Sequence, residues 1–489
     1  MVRRTFARLA VVAALGMPLC GFTQTDARDA AGEGAKTVEL LKQLIRIDTT
    51  NAPGDTTRLA QFLKAQFEPL GAQVDIVVAP NGKAAHFIAR LKGDGSKQPV
   101  LLAAHADVVP VEKDKWTVDP LAGVEKDGFV YGRGAMDFKG GIAVFARAVM
   151  RLAEAKVPLA RDVIFLAEAD EEQGQFNTSW LARDHWDKIK AEFALNEGGY
   201  ILQDAAGTVR QVNVTTVEKL SVTFRLKTRG PVGHSSRPLP PMQTANGRMI
   251  AALARLSAYE TPVKLVPQAR DYFRALARLN PGPLRQGIEK LLRANDVRTQ
   301  AEAERQILAA KPGDAPMLHA LMRDTLIITM FNSGIKPNVI PGEAEAIVNT
   351  RLLPGTTTDQ LVAEMRRVMD DPQVSIEIVS PLGQEAARNY YLMRTGVAAS
   401  PVSTDLYRAL ERNARRLWPQ AQVIPALFEA GTDATAWRER GVPVYGIYPY
   451  PLNDEILLGM HGHDERIAVR SLHEGTDFVY GILLDVAKK

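Results

Sequence analysis

Cysteine is almost absent from this chain of 489 residues, which has one, Cys20. That excludes a disulfide framework and multi-cysteine zinc modules. Aromatic residues make up only 7%, and the 46% hydrophobic and 24% charged residues give an ordinary globular composition. A large excess of charge of one sign is lacking as well. Of the formal net charge of +4, Arg3, Arg4 and Arg8 carry three, which leaves +1 for the rest. The pI of about 8.9 therefore does not describe a basic surface. No basic stripe interleaved with aromatics is seen, so no nucleic-acid partner is expected.

Bilayer-length apolar runs are missing at the start of the chain too. "LAVVAALGMPL" has eleven residues, too few for a mature spanning helix. It follows the basic "MVRRTFAR" and reads as a secretory signal peptide over 1–25, so export to the periplasm or beyond is expected, without stable membrane insertion. A buried N-terminal helix is the alternative. Leu19 is not the small residue that a lipoprotein signal places before its cysteine, which speaks against lipid anchoring at Cys20. Cleavage after Cys20 would leave no thiolate to act as nucleophile or metal ligand.

What the chain does have is alternating helical and strand patterns. "TVELLKQLIRI" and "TTRLAQFLKAQFEPLG" carry helical spacing, and "VDIVVA", "HFIARL", "PVLLAA", "DVIFLA" and "EFALN" read as strands. "GIAVFARAVMRLAEA" reads as an amphipathic helix. The fold class expected is α/β: a catalytic domain with a mainly parallel central sheet and helices on both faces. Near 216 the texture becomes α+β, with "KLSVTFRLKT" alternating like a half-exposed strand. The catalytic domain is expected to be split into a first segment over 26–215 and a second over 400–489. Between them an inserted α+β unit is expected over 216–399, with a helical insertion at 258–325.

Carboxylates and imidazoles recur just after the buried strands. "PVLLAA" leads into His105 and Asp107, "DVIFLAEAD" into Glu171 and Glu172, and "EFALN" into Glu197. Asp137 lies in "GRGAMDFKGG", just before a helix. In open α/β sheets, ligands bind beyond the C-terminal strand ends. Crowded carboxylates repel, and a divalent cation compensates; zinc accepts imidazole nitrogen and carboxylate oxygen. If the segment stays extended, Asp107 points the same way as His105 and its carboxylate is expected to orient the ring. One glutamate of the "EE" pair would bind metal and the other would move a proton.

The motifs "HAD", "GRGAMDFKGG", "ADEEQG", "NEGG", "GPVGHSS", "NVIPGEAEAIVNTRLLPG", "GTDA" and "HGHDE", in that order, resemble the zinc exopeptidase and amidohydrolase family of carboxypeptidase G, carboxypeptidase S, aminoacylase and succinyl-diaminopimelate desuccinylase, peptidase family M20. The resemblance runs from about residue 36 to the C-terminus. It implies two zinc ions, with cobalt or manganese as possible substitutes. His105 and Glu197 would hold one, His461 and Glu172 the other, and Asp137 would bridge them. Glu171 would be the general base. The inserted unit would be a lid and dimerisation domain, giving a possible homodimer, and its His234 would stabilise the oxyanion, in some relatives from the partner subunit. Asn338, Arg351, Gly431 and Thr432 would contact a small peptide or N-acyl amino acid with a free carboxylate. A cis peptide is expected at Asp137–Phe138.

Plainer readings stay open. Asp137 could cap a helix. Glu171 and Glu172 could exchange roles, and His463 could replace His461. His86, His185, His319 and His473 match no motif and are read as structural. Phe138, Asp464 and the "NEGG" glycines depart from the carboxypeptidase G pattern, which leaves the substrate open between a peptide and a long-chain N-acyl amino acid. A catalytically silent binding protein is the remote alternative.

Overall fold

The apolar runs of the first segment form the centre of a large sheet. The computed structural model describes residues 24–489; the signal-peptide reading and Cys20 fall on residues outside the described ones. Eight strands run in the order Gln73–Val78, Ala85–Leu91, Val163–Glu168, Val100–His105, Phe193–Gln203, Val444–Leu452, Val209–Glu218, Gln422–Phe428. Val163–Glu168, Val100–His105, Phe193–Gln203 and Val444–Leu452 are parallel to one another, whereas Gln73–Val78 and Ala85–Leu91 pair antiparallel at one edge. Every residue of Val100–His105 and Val163–Glu168 is buried, as a sheet covered on both faces requires.

One face is covered by Gln24–Ile45, Lys139–Glu154 and Val469–Ala487, the other by Thr178–Asp184 and Thr435–Arg438. Lys139–Glu154 is the helix that "GIAVFARAVMRLAEA" predicts. It is wedged against Gln24–Ile45 and Val469–Ala487 and is buried on nearly all sides. "EFALN" also extends further than expected, into the strand Phe193–Gln203. Gly199 permits this, since a Cβ there would stand 2.1 Å from the Asn213 carbonyl oxygen of the neighbouring strand.

The change of sheet falls at Lys219 rather than at 216. Val209–Glu218 belongs to the large sheet, and Leu220–Arg229 enters a second, antiparallel sheet ordered Thr325–Ser333, Glu343–Leu352, Leu220–Arg229, Ser375–Ile378. Its buried side chains alternate and pack against Ala245–Ser257 and Thr358–Met369. Thr357 and Gln360 close a capping box on the latter helix.

The helical insertion supplies Pro267–Leu279, Pro283–Arg293, Val297–Ala310 and Ala315–Met322. It is contiguous in sequence with the smaller sheet but packs elsewhere. Tyr272, Phe273, Leu276 and Leu318 share a core with Val217, Ile424 and Leu427 of the large sheet. Lys219 secures its end, donating from Nζ to the carbonyls of Ala320 (2.9 Å) and Arg323 (2.7 Å).

Candidate active site

The parallel strands deliver the first groups of the site. His105 is the last residue of its strand, sits beside Glu168 in register and neighbours the strand carrying Glu197. Asp137 arrives from the loop before Lys139–Glu154, and the Asp137–Phe138 peptide is cis. The His105 Nε2 lies 3.0 Å from Asp137 Oδ1 and 3.5 Å from Glu197 Oε2. The His461 Nε2 lies 3.0 Å from Asp137 Oδ2 and 3.2 Å from Glu172 Oε1. Each oxygen of Asp137 thus faces a different imidazole. His461, not His463, occupies this place, with its backbone in the left-handed region at φ 57°.

The donor atoms of His105, Asp137 and Glu172, and those of His105, Glu171 and Glu197, each lie within 4.8 Å of one another. The closest contacts divide the set more finely, into His105 with Asp137 and Glu197, and His461 with Asp137 and Glu172. That division uses both histidines. Two ligand atoms about 2.0 Å from one tetrahedral ion stand about 3.3 Å apart, which the 3.0–3.5 Å separations here match.

The charge balance points the same way. The His105 Nδ1 is 2.9 Å from the Asp107 carbonyl and donates to it, so Nε2 faces two carboxylates with a lone pair unless a proton or cation intervenes. Burial opposes charge on His105, but Glu197 and Asp137 outweigh it and hold its pKa well above the usual imidazole range. Burial likewise opposes charge on Asp137, yet the two histidines keep its carboxyl far below the usual range. Glu171 has its pKa pushed well up, by burial first and then by Glu197, so it can hold a proton. Behind these lie Glu168, pushed up by burial and Asp433, and Asp433, raised to about 7 by burial. So many buried carboxylates against two imidazoles call for neutralisation, by protons or by a bound cation. The residues fit a metal centre.

Asp107 does not do what the spacing suggested. Its carboxylate is 4.0 Å from the His105 ring, which is oriented instead by the Asp107 backbone carbonyl. The strand ends at His105, so the two-residue repeat does not carry past it. The carboxylate instead accepts from Asn51 Nδ2 (2.7 Å) and from the backbone N–H of Glu171 and Glu172 (both 3.1 Å). It holds the turn that presents the two glutamates. His86 braces the same turn from behind, with one ring nitrogen 2.8 Å from the Phe176 carbonyl and the other accepting from Ala169 N–H at 3.2 Å.

Three further contributors were not singled out in the sequence. Glu465, the last letter of "HGHDE", accepts from Met136 N–H (2.8 Å), Asp137 N–H (3.0 Å), Gly134 N–H (3.0 Å) and Arg133 Nη1 (2.8 Å). It locks the Asp137 loop to the segment carrying His461. The Tyr448 hydroxyl donates to Asp137 Oδ1 (3.0 Å) or Glu197 Oε2 (3.3 Å). Asn51 is the third. Only Glu465 had a signal, its place in a motif; nothing in the sequence sets Tyr448 or Asn51 apart.

The other named residues divide into two places. Arg351 Nη1 lies 3.7 Å from where a Cβ on Gly431 would stand, and among the described residues its guanidinium has no hydrogen-bond partner. Burial pulls its pKa down, while the charge of Glu171 raises it. The Thr432 hydroxyl is committed to Glu218 at 2.7 Å and braces the loop. His234 and Asn338 sit exposed on the smaller unit, where Ser235 N–H donates to the Asn338 carbonyl and the His234 ring is bonded to Ser236. Among the described residues, neither makes a hydrogen bond or ion pair with the acid–imidazole cluster.

Fold and donor set together define an α/β protein with a cluster of imidazoles and carboxylates that could hold metal ions. The family description "Peptidase family M20/M25/M40" matches residues 101–485, and the chain belongs to that family. It is 27% identical over 464 residues to N-fatty-acyl-amino acid synthase/hydrolase PM20D1 of Mus musculus, covering 90% of this chain and 86% of that protein. It is 28% identical over 438 residues to probable carboxypeptidase S-like 2 of Dictyostelium discoideum, covering 88% and 79%. The fold is shared with the M20 metallo-carboxypeptidase Sso-CP2 of Sulfolobus solfataricus, at a TM-score of 0.65 and 16% identity, over 92% of this chain and 99% of that one.

Proposed function

We propose that this protein is an exported, two-zinc amidohydrolase that cleaves the amide bond of peptides or N-acyl amino acids carrying a free carboxylate. The observation that carries the reading is Asp137, whose two oxygens each face a separate histidine at 3.0 Å. His105, Asp137 and Glu197 would hold one ion, and His461, Asp137 and Glu172 the other. Such ions, when bound, polarise a carbonyl and lower the pKa of water.

The chain's own groups do the rest. Glu171 takes the proton of the attacking water and returns it to the amine nitrogen as the C–N bond breaks. Asp107 and Asn51 keep Glu171 at its post. Tyr448 keeps Asp137 and Glu197 in place. Arg351, a partly buried cation without a hydrogen-bond partner among the described residues, receives the substrate carboxylate through two parallel hydrogen bonds. The names of the similar proteins, an N-fatty-acyl-amino acid synthase/hydrolase and a probable carboxypeptidase S-like protein, agree with both substrate types.

His234 is exposed and makes no bond to the cluster among the described residues, and the oxyanion donor in this reading is His234 of the partner subunit. The exposed edge strand Thr325–Ser333, with Ile327 62%, Met330 54% and Phe331 45% exposed, supports a homodimer through this edge.

The test is a panel of dipeptides, C-terminally blocked dipeptides and N-acyl amino acids, with metal content measured on the same sample. Two zinc ions per chain and cleavage only of free-carboxylate substrates are expected. An active preparation without metal would overturn the reading.

A further inference from the structure

Between the large sheet and the helical insertion lies a cavity of about 360 Å³. Leu427 and Phe428 of the strand Gln422–Phe428 contribute to its floor. Tyr272, Met317 and Leu321 face them from the insertion. The cavity begins beside the catalytic cluster. Tyr200 lines it and stacks on Tyr448 at 5.1 Å, and the Tyr448 hydroxyl reaches Asp137 and Glu197. Met460 lines it too and immediately precedes His461. At the rim, Leu458 is held 84% exposed.

The lining contains no lysine, arginine or histidine, and its charged members, Asp314, Glu429 and Asp454, are all acidic. Asp314 is already paired with Lys311. A carboxylate has no partner in this cavity and would be repelled from it, so the substrate carboxylate belongs at Arg351 and the other end of the molecule enters here. Aliphatic and aromatic walls of this size suit an apolar chain.

We propose that this cavity is the acyl subsite and that it takes a long, unbranched, uncharged acyl chain, making the helical insertion the device that selects acyl length. The proposal rests on the amidohydrolase reading and adds the substrate class. Each buried methylene is worth about fourfold in kcat/KM, so four of them give roughly two hundredfold, until the cavity is full.

The experiment uses the full chain loaded with zinc. The kcat/KM is measured for N-acetyl, N-hexanoyl, N-dodecanoyl, N-succinyl and N-(6-aminohexanoyl) derivatives of one amino acid. Calorimetry with Glu171→Gln measures binding of the acetyl and dodecanoyl compounds without turnover. Met317→Trp narrows the cavity, and Leu458→Asp changes its exposed rim with little risk to folding. Expected are a dodecanoyl-to-acetyl ratio above about a hundred in the unsubstituted enzyme, a fall of that ratio by about tenfold or more in both variants, and rejection of the succinyl compound. Cleavage of short amides with a flat length series, or a ratio that neither variant moves, overturns the acyl subsite and leaves the amidohydrolase reading standing. Preference for the aminohexanoyl over the hexanoyl chain overturns it in favour of a cationic tail. Length-dependent binding without hydrolysis of any amide supports the subsite and sinks the amidohydrolase reading.

Discussion

Replacing Glu465 by Gln tests whether a residue that touches no substrate sets the geometry of the metal site. The carboxylate is fully buried and accepts four N–H groups, two on each oxygen. Glutamine keeps the shape and one oxygen, which can still serve Met136 and Asp137. Its NH2 would then face the Gly134 N–H and Arg133 Nη1, donor against donor. Two bonds are lost, at about 1.5–3 kcal/mol each for partners of a charged group. Two effects limit the sum. Burial lifts the Glu465 pKa above the ordinary range despite Arg133, so neutralising it removes a desolvation cost. Arg133 also keeps the Gly462 carbonyl at 2.9 Å. A net loss of about 3 kcal/mol in urea unfolding of the metal-free protein is expected, because an orphaned buried charge sets the lower bound. The Asp137 loop would then be poorly held, and zinc affinity should fall about 10–100-fold, as for other groups that orient ligands. A variant within about 1 kcal/mol of the parent and with equal zinc affinity would refute the argument that Glu465 positions Asp137.

Glu171→Gln should lower kcat by about 10²–10⁴-fold while retaining two zinc ions by elemental assay; substantial turnover would remove it as the base. Asn51→Ala frees the Asp107 carboxylate that holds Glu171, and about a tenfold loss in kcat with little change in zinc content is expected; an equal loss of zinc would make Asn51 a residue of the metal site instead. The His86 pKa is lowered to about 4 by burial, so between about 4 and 6.5 the unfolded chain binds a proton that the folded one does not, and stability falls as pH drops through that window by about 3 kcal/mol. His86→Gln should flatten that slope in denaturation measured from pH 7 to 4; an unchanged slope would assign it to other groups. Chelation should lower Tm and zinc should restore it, since ligand at 1,000 times Kd adds about 4 kcal/mol. Phe331→Lys on the exposed edge should shift a dimer towards monomer in sedimentation, and no shift would remove that edge as the interface.

The strands were legible because both faces of the sheet are covered, so "PVLLAA" and "DVIFLA" read as unbroken apolar runs. The positions of His105, Glu171, Glu172 and Glu197 were legible because each follows or ends such a run. What failed was inference past a strand end. Asp107 was expected to reach the ring of His105, but period two holds only while the backbone stays extended. Tyr448 was hidden inside an apolar strand where a phenol looks like core, and its polar tip becomes meaningful only once that strand lies beside Phe193–Gln203. The role of the insertion was illegible for a related reason. Its helices announce an apolar face but not which sheet receives it, and sequence proximity favoured the smaller one.

The two halves of the site come from opposite ends of the described chain. His105, Asp137 and Glu197 belong to the first segment, while Tyr448, His461 and Glu465 return after the smaller sheet and the helical insertion. Glu465 binds the loop of Asp137, and Tyr448 binds Asp137 and Glu197, so the late segment braces carboxylates that the early segment supplies. His105, Asp137 and Glu197 alone would be a cluster of buried charge with the second oxygen of Asp137 unmatched. Completion by His461 balances that oxygen, and the same segment carries Met460 and Leu458 to the mouth of the apolar cavity. The segment that completes the charge balance thus also lines the mouth of the cavity proposed to take the acyl chain.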